Sequence, residues 1–476
     1  MHLQIEEILK AINGEILNED ADNFLKTEIN SITINSREVK TNALFIPLHG
    51  EKIDSHQFID NAFENGAIAT LTDEKIEKLN KDKIYIKVKD TKKALQDLAA
   101  FYRRKFEIKM VGITGSVGKT STKEMVSLVL SSKFNVHKTS GNLNGQIGLP
   151  LTIFELQQFN DLAVVEMGIS EFSEMEKLAD IVNPDFAIMT NVGVTHIENL
   201  KSQENILNEK LKITKNFNPE SVLFINKDDK MLSKVKTEDK FKVVTFGIES
   251  DCDFKAENVN LDGDQTSFIL KYKDKESEKK VLITIPAIGI HNVYNALAGI
   301  ALGVHLGISI LDIQKSILQY KSLDKRQCIF ENVKIKNNDK KIVINIIDDT
   351  YNANPDSMKN AINVLNIYSR GKNGRKVAVL ADMLELGKVS KELHLKLGEY
   401  VAQNNIDMLL TVGEEAKNIA LGAKKVNKNI NTQSFESNLE AYKFLKDNLQ
   451  NGDNVLFKGS RGMHIDEIIS KIIDEK

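Results

Sequence analysis

Cysteines and long apolar runs are both scarce in this chain, and each shortage excludes a class of protein. The 476 residues include 2 cysteines, Cys252 and Cys328, which cannot build a disulfide framework or a four-ligand zinc site. No apolar run approaches the ~20 residues that span a bilayer, and the acidic, helix-patterned N-terminus has no signal-peptide core. We therefore expect a cytoplasmic protein without membrane insertion.

An excess of positive or negative charge is also nearly absent. The formal net charge is −3, with 41% hydrophobic and 28% charged residues, a composition typical of a soluble globular protein. Nucleic-acid-binding proteins usually carry a strong positive excess, and basic stretches such as residues 371–376 have the character of solvated loops. We expect small-molecule partners, no nucleic acid and a monomer.

The length predicts about three domains at ~150 residues each, and we place them at residues 1–106, 107–325 and 326–476. The second block alternates strand and helix as a parallel sheet requires, with antiparallel strands between 252 and 286. In the third block, apolar runs end in polar or glycine clusters, which marks a cleft at the carboxyl ends of the strands. Apolar runs predict strands at 31–34, 43–48, 67–71, 84–88, 162–167, 186–190, 222–225, 342–347, 377–380, 408–412 and 455–457.

The most informative segment is residues 112–121, Gly-Ile-Thr-Gly-Ser-Val-Gly-Lys-Thr-Ser, between an apolar run and an amphipathic helix. Loop N–H groups and the helix dipole converge there on an anion. Lys119 offers a charge to the β/γ-phosphates and Thr120 a hydroxyl to Mg²⁺. The alternative to a phosphate-binding loop is an ordinary glycine-containing turn between a strand and a helix, with an incidental lysine. The usual first glycine of such a loop falls at Ile113. We expect a nucleoside triphosphate here, ATP above all.

Two candidate metal ligands follow apolar strands. Glu166 ends the buried run 162–166, where a carboxylate needs a cation. Mg²⁺ carried with ATP is the expected cation, and a structural ion pair is the alternative. His196 comes just after the next predicted strand and is either a second metal ligand or a structural histidine.

Two further stretches carry clustered amides. Asn292 and Asn295 open a helix of small residues. Their amides offer the donor and acceptor that read an adenine edge, although asparagine also caps helices. Residues 348–358, Asp-Asp-Thr-Tyr-Asn-Ala-Asn-Pro-Asp-Ser-Met, directly follow a buried strand and predict a recognition loop.

Taken in order, these motifs resemble the Mur ligase family over essentially the whole chain. The resemblance includes the phosphate loop, Glu-Met-Gly at 166–168, Thr-Asn-x-Gly-x-x-His at 190–196 and Gly-x-His-Asn-x-x-Asn-Ala at 289–296. Asn-Ser-Arg-Glu-Val at 35–39 and Leu-Phe-Ile-Pro-Leu-x-Gly at 44–50 resemble the family's uridine-diphosphate-binding domain. Three motifs are similar to those of the member that adds D-alanyl-D-alanine: Tyr-Asn-Ala-Asn-Pro-x-Ser-Met at 351–358, Asp-Met-Leu-Glu-Leu-Gly at 382–387 and Lys-Gly-Ser-Arg-Gly-Met at 458–463.

The resemblance implies a fold and a reaction. The fold is α/β throughout, with a small uridine-nucleotide-binding domain, a central parallel-sheet phosphate-loop ATPase domain and a C-terminal Rossmann-like domain. In the implied reaction, ATP phosphorylates the terminal carboxylate of UDP-MurNAc-tripeptide, and the amine of D-Ala-D-Ala attacks the acyl phosphate. This is a cytoplasmic step of peptidoglycan precursor synthesis. The chemistry needs cations between two anions and two substrates held in line.

The resemblance also implies roles for the matching residues. Four are catalytic: Lys119, Glu166, His196 and Lys210. The phosphates are held by Gly115, Ser116, Val117, Gly118, Lys119, Thr120 and Ser121. One Mg²⁺ is bound by Thr120 and Glu166, and a second by His196 and Lys210. Adenine contacts Asn292 or Asn295, and the phosphates and ribose lie near Arg326 and Asp349. The UDP-muramyl peptide lies along Ser36, Arg37, Asn142 and Asn144, and the reacting end of the cleft is shaped by Asn352 and Asn354.

Lys210 is implied to be carbamylated, because a carbamate offers the hard oxygen ligands that an ammonium lacks. The alternative is a plain surface lysine. Two stretches depart from the family pattern: the first-domain Asp-Gly-His is Asp-Ser-His at 54–56, and Ala-Lys-x-Glu-Ile is Glu-Lys-Leu-Lys-Ile at 209–213.

Three other functions compete with this one. A Mur ligase that adds the third, diaminopimelate residue would carry Asp-Asn-Pro-Arg, which is absent. Folylpolyglutamate synthetase shares the architecture, but the Ser36-Arg37 segment has no place there. A nucleotide-regulated binding protein would be expected to lack the metal ligands or the third-domain loop, and this chain has both features. The motifs leave open whether the third residue of the acceptor peptide is diaminopimelate or lysine.

Overall fold

In the computed structural model, described for residues 1–236, 240–274, 277–337 and 340–474, three helix-covered β-sheets follow one another along the chain. A two-stranded antiparallel ribbon accompanies the first sheet. Across those described residues, no helix combines the length and the apolar character that a membrane span needs.

The first sheet has five strands in the order β2-β7-β6-β5-β4, with β4 to β7 parallel and β2 antiparallel at one edge. β1 and β3 form the separate ribbon. The strands are β1 Leu3–Gln4, β2 Glu15–Ile16, β3 Glu28–Ile29, β4 Ser31–Thr33, β5 Ala43–Phe45, β6 Ala67–Thr72 and β7 Ile84–Lys87, and the helices are α1 Ile5–Ile12, α2 Ile59–Glu64 and α3 Thr91–Arg103.

The central sheet has nine strands in the order β16-β15-β14-β13-β12-β11-β8-β10-β9. Neighbours from β9 to β14 pair in parallel, and β14 to β16 pair antiparallel. The strands are β8 Lys109–Thr114, β9 Val136–Lys138, β10 Leu162–Glu166, β11 Phe186–Met189, β12 Val222–Asn226, β13 Lys242–Gly247, β14 Phe254–Asp262, β15 Gln265–Asp274 and β16 Ser277–Ile285. The helices are α4 Lys119–Leu130, α5 Gly148–Phe154, α6 Glu174–Val182, α7 Ile197–Leu200, α8 Gln203–Leu211, α9 Ile290–His305 and α10 Ile310–Ile317.

The third sheet has six strands in the order β17-β18-β22-β19-β20-β21, all parallel except β17. The strands are β17 Cys328–Asn337, β18 Lys340–Asp348, β19 Lys376–Ala381, β20 Met408–Val412, β21 Asn431–Phe435 and β22 Asn454–Lys458. The helices are α11 Pro355–Tyr368, α12 Ser390–Gln403, α13 Lys417–Val426, α14 Asn438–Asn448 and α15 Asp466–Asp474.

Burial of the central strands on both faces positions the phosphate loop. All residues of β10, β11 and β12 are buried, as expected for a parallel sheet covered by helices. Helix α4 buries the apolar face predicted from the sequence, Met125, Val126, Val129 and Leu130, each worth about 1.5–3 kcal/mol. This face packs against α9, where Gly299 permits the close approach: a Cβ there would lie 3.4 Å from the Met125 carbonyl oxygen. Helix α4 is thus fixed between α9 and the sheet.

Candidate active site

The phosphate loop joins β8 to α4. Gly115 and Gly118 have φ values of 154° and 82°, the region that favours glycine. A Cβ on Gly115 would fall 1.9 Å from Thr190 Oγ1, so a side chain there is excluded. The first N–H groups of α4 have no intrahelical acceptor, and together with the helix dipole they form an anion-binding end.

The loop is held in shape by the polar residues that follow β11. Asn191 Oδ1 accepts hydrogen bonds from the N–H groups of Ser116 and Val117 at 3.1 and 2.9 Å. Its Nδ2 donates to the Val117 carbonyl at 3.1 Å, and Thr190 Oγ1 donates to the same oxygen at 2.7 Å. Two N–H groups that were expected to bind phosphate therefore donate their hydrogen bonds within the protein. Sequence reasoning missed this role of Asn191, although a Thr-Asn pair directly after an apolar strand was a signal for it.

Two lysines share one carbonyl beneath the loop. Lys119 Nζ and Lys210 Nζ donate to the Gly115 oxygen at 2.9 and 3.0 Å. Lys210 is 2% exposed, so the alternative of a plain surface lysine is wrong. Burial, reinforced by the charge of Lys119, holds the pKa of Lys210 well below its ordinary value. Burial also lowers the pKa of Lys119.

Glu166 presents an unsatisfied oxygen to the cavity beside the loop. The residue is 2% exposed, and its Oε1 accepts a 2.7 Å hydrogen bond from Asn144 Nδ2. Its Oε2 is buried without a hydrogen-bond partner. A buried carboxylate oxygen without a partner is unfavourable and fits a hard divalent cation, which takes oxygen ligands. Thr120, the other expected ligand, accepts a 3.0 Å hydrogen bond from Arg326 Nη2 through its hydroxyl.

His196 makes a contact between domains. It caps α7 with a φ of 60°, and its Nδ1 lies 2.6 Å from Glu385 Oε2 of the third sheet's domain. The close contact with His196 lowers the pKa of Glu385. His196 lines the cavity, whereas Lys210 is absent from the lining and donates to the Gly115 carbonyl instead.

A cavity of about 400 Å³ gathers most of the predicted residues from the second and third domains. Four predicted residues do not line it: Gly115 and Lys210 of the central domain, and Ser36 and Arg37, which follow β4 in the first domain. The predicted residues that line it are Ser116, Val117, Gly118, Lys119, Thr120, Ser121, Asn142, Asn144, Glu166, His196, Asn292, Asn295, Arg326, Asp349, Asn352 and Asn354.

Asn295 lines both this cavity and a second one of about 550 Å³, as do Val117 and Gly118. Its Oδ1 accepts a 2.9 Å hydrogen bond from Thr122 Oγ1, which fixes the amide at the base of α4. His291 lines both cavities, and burial lowers its pKa to about 4. The ring is therefore neutral near pH 7.

The third domain contributes cations that sequence reasoning identified only in part. Lys458 Nζ lies 2.7 Å from Asp349 Oδ2, with both side chains buried. The Arg326 guanidinium carbon lies 3.9 Å from the ring centroid of Tyr351, and that of Arg461 lies 5.7 Å from it. Lys458 and Arg461 line the same cavity as the phosphate loop, and Arg326 contacts the loop at Thr120, so cations surround a space between two domains.

Comparisons with known proteins agree along the chain. Residues 28–103 match the Mur ligase family catalytic domain, 113–303 the Mur ligase middle domain and 333–461 the Mur ligase glutamate ligase domain. The UDP-N-acetylmuramoyl-tripeptide–D-alanyl-D-alanine ligase of Bacillus subtilis (strain 168) is 34% identical over 470 residues, 99% of this chain and 98% of that protein.

Two solved structures give the same picture. A crystal structure of MurF from Acinetobacter baumannii has a TM-score of 0.88 and 29% identity, covering 100% of this chain and 99% of that one. MurF ligase from Thermotoga maritima in complex with ADP has a TM-score of 0.80 and 28% identity, covering 94% and 97% of the two chains.

Proposed function

This chain belongs to the Mur ligase family, and from that premise we propose that it joins D-alanyl-D-alanine to UDP-MurNAc-tripeptide with conversion of ATP to ADP and phosphate. The proposal places the enzyme in the cytoplasmic synthesis of peptidoglycan precursors. It takes residues 1–106, 107–325 and 326–476 as the uridine-nucleotide-binding, ATP-binding and C-terminal ligase domains. The observation that carries it is the cavity in which the phosphate loop and Glu166 face Arg326 and Lys458 of the third domain.

The chemistry has two steps. An oxygen of the tripeptide's terminal carboxylate attacks the γ-phosphorus of ATP, and ADP leaves. The amine of D-Ala-D-Ala then attacks the acyl carbon, phosphate leaves, and the amine loses a proton as the amide forms. The first step brings two anions together and the second develops negative charge on the acyl oxygen and the leaving phosphate, so the positive charges of Lys119 and Arg326 supply the electrostatic stabilisation that both steps need.

Two divalent cation sites complete the proposal. Thr120 and Glu166 would hold one Mg²⁺, which neutralises phosphate charge when bound; the unpartnered Oε2 of Glu166 supports this role. His196 and a carbamylated Lys210 would serve the second. The lowered pKa of Lys210 favours the neutral amine, which adds CO₂ to form the carbamate and releases a proton.

The substrates extend from this centre in two directions. Asn142 and Asn144 line the cavity, and we place the muramyl peptide along them, with Ser36 and Arg37 meeting its uridine end. Asn352 and Asn354 shape the end of the cleft where the amine enters. Asn354 is already positioned, because its Oδ1 caps α11 through the Ser357 N–H at 2.9 Å.

The test is a phosphate-release assay that varies both substrates. We expect turnover with ATP, UDP-MurNAc-tripeptide and D-Ala-D-Ala, using acceptors with diaminopimelate or lysine at the third position. Single D-Ala or L-Lys is expected to be a poor nucleophile. Efficient addition of one amino acid to a dipeptide acceptor would assign the chain to another Mur step. ATP binding without phosphate release for any pair would favour a nucleotide-regulated binding protein.

A further inference from the structure

A cluster of two histidines and three carboxylates lies in the first domain, outside the site described above. His49, Asp54 and His56 belong to the connection between β5 and α2, where an isolated bridge pairs His49 with Asp54. Asp73 and Glu74 follow the end of β6. The sequence had marked Asp-Ser-His at 54–56 as a departure from the family pattern, and the proposed ligase chemistry gives these residues no role.

The four nearest side chains of this cluster form a closed ring. Asp54 lies against both imidazoles, with Oδ2 at 2.9 Å from His49 Nδ1 and Oδ1 at 2.7 Å from His56 Nδ1. Asp73 Oδ1 lies 2.9 Å from His49 Nε2 and 3.1 Å from His56 Nε2. Asp54 thus bridges the Nδ1 atoms of the two imidazole rings, and Asp73 bridges their Nε2 atoms.

The ring is incompletely satisfied at His56. This residue is 7% exposed, and its Nε2 is buried and forms no hydrogen bond despite its 3.1 Å distance from Asp73. His56 Nδ1, by contrast, is held by Asp54. An imidazole with one nitrogen oriented by a carboxylate and the other unpartnered is the usual arrangement of a metal-ligating histidine.

We propose that a divalent transition-metal ion of the zinc class binds at this cluster, with the Nε2 atoms of His49 and His56 as nitrogen ligands. Donor atoms of His49, Asp54, His56 and Glu74 all lie within 4.8 Å of one another. Ligand atoms around tetrahedral zinc are about 3.3 Å apart, given metal–ligand distances of about 2.0–2.1 Å. Carboxylate oxygens of Glu74 and Asp73 complete the set, since Asp73 Oδ1 already lies 2.9 and 3.1 Å from the two Nε2 atoms, and Asp54 orients both rings through Nδ1.

The donor set selects the class of metal. Two imidazole nitrogens in one site favour zinc and its neighbours over Mg²⁺, which takes mostly oxygen ligands. A bound ion would fix the connection before α2 to the end of β6. It would also reach α3, because Asp73 Oδ2 accepts a 3.1 Å hydrogen bond from the N–H of Thr91, the first residue of that helix. The metal would therefore stabilise the first domain without touching the reacting groups.

The experiment measures Zn²⁺ binding to the full chain, stripped with a chelator and kept in excess Mg²⁺ so that oxygen-ligand sites are occupied. Titration calorimetry gives stoichiometry and affinity for wild type, His49→Gln, Asp73→Asn and the control His2→Gln. His49 is exposed, so its substitution leaves the fold intact, and circular dichroism of the zinc-free proteins checks this. His2→Gln removes an exposed imidazole of the same domain that pairs with Glu28 at 3.6 Å.

We expect one zinc ion per wild-type chain, bound at least tenfold more weakly by His49→Gln and Asp73→Asn and unchanged in His2→Gln. X-ray absorption at the zinc edge is expected to show two imidazole ligands and no sulfur. Wild type that binds no zinc in excess Mg²⁺, or His49→Gln that binds it as tightly as wild type, would overturn the proposal. The cluster would then be an ion-paired ring that needs no metal. Should Asp73→Asn fail to fold, His49→Gln decides alone.

Discussion

Replacement of Asn191 by alanine tests whether the strand beside the phosphate loop sets the loop's shape. Asn191 lies outside the loop, yet its amide bonds with both N–H groups at Ser116 and Val117 and with the Val117 carbonyl. Alanine removes all three hydrogen bonds and leaves the loop's own sequence intact. We expect the loop to lose its fixed conformation, so that ATP binds more weakly and is held less accurately.

The expected magnitude follows from the three bonds. Each contributes roughly 0.5–1.5 kcal/mol net, which gives at most about 3 kcal/mol in total. Two of the three groups keep a second partner, because the Ser116 N–H also donates to the Asn191 carbonyl and the Val117 carbonyl also accepts from the Thr190 hydroxyl, which leaves about 1–2 kcal/mol. Since about 1.4 kcal/mol corresponds to a factor of ten, kcat/KM for ATP is expected to fall about 5- to 30-fold.

The assay is steady-state phosphate release over a range of ATP concentrations, with ADP affinity measured separately by calorimetry. Asn199→Ala is the matched control, because Asn199 is an exposed asparagine of the following segment and its loss is expected to leave kcat/KM unchanged. Asn191→Ala with kcat/KM within twofold of wild type would refute the reasoning. So would an equal loss in both variants.

Three further outcomes are expected. Lys119→Ala abolishes phosphate release while the melting temperature stays close to that of wild type, and near-normal release would remove this lysine from the phosphate site. Lys210→Ala is nearly inactive and partly restored by small carboxylic acids, whereas a fully active variant would make Lys212 the candidate. Because burial lowers the pKa of His291 from 6.5 to about 4, the unfolded chain binds more protons there between those values. Stability therefore falls as pH drops through that window, and denaturant titrations are expected to show a smaller fall in His291→Asn; equal falls would contradict this assignment.

Local sequence patterns predicted the elements with a strong apolar signal. Runs at 162–167, 377–380 and 408–412 correspond to β10, β19 and β20, because a strand buried on both faces must be apolar throughout. β21 was missed, since Asn431–Phe435 has no buried residue and lies at a sheet edge. The antiparallel segment was expected as an appendage, whereas β14 pairs with β13 and so extends the central sheet.

The residues of the candidate site also divide into those with a local sequence signal and those that only the fold brings together. Gly115, Gly118 and Glu166 were predictable because glycine turns and buried carboxylates leave a local signature. The contacts of His196 with Glu385 and of Thr120 with Arg326 join residues from different domains. No pattern within one segment encodes such a pairing, because it depends on how the folded domains meet. Asn191 was missed because its partners, although in the same domain, lie 74 and 75 positions away along the chain.

The most direct test of the ligase proposal is an isotope-transfer experiment. UDP-MurNAc-tripeptide carrying ¹⁸O in both oxygens of its terminal carboxylate is incubated with ATP and D-Ala-D-Ala, and the released phosphate and the peptide product are analysed by mass spectrometry. The proposal predicts one ¹⁸O atom in each phosphate and one pentapeptide product per ADP. Phosphate without ¹⁸O would contradict an acyl-phosphate ligase.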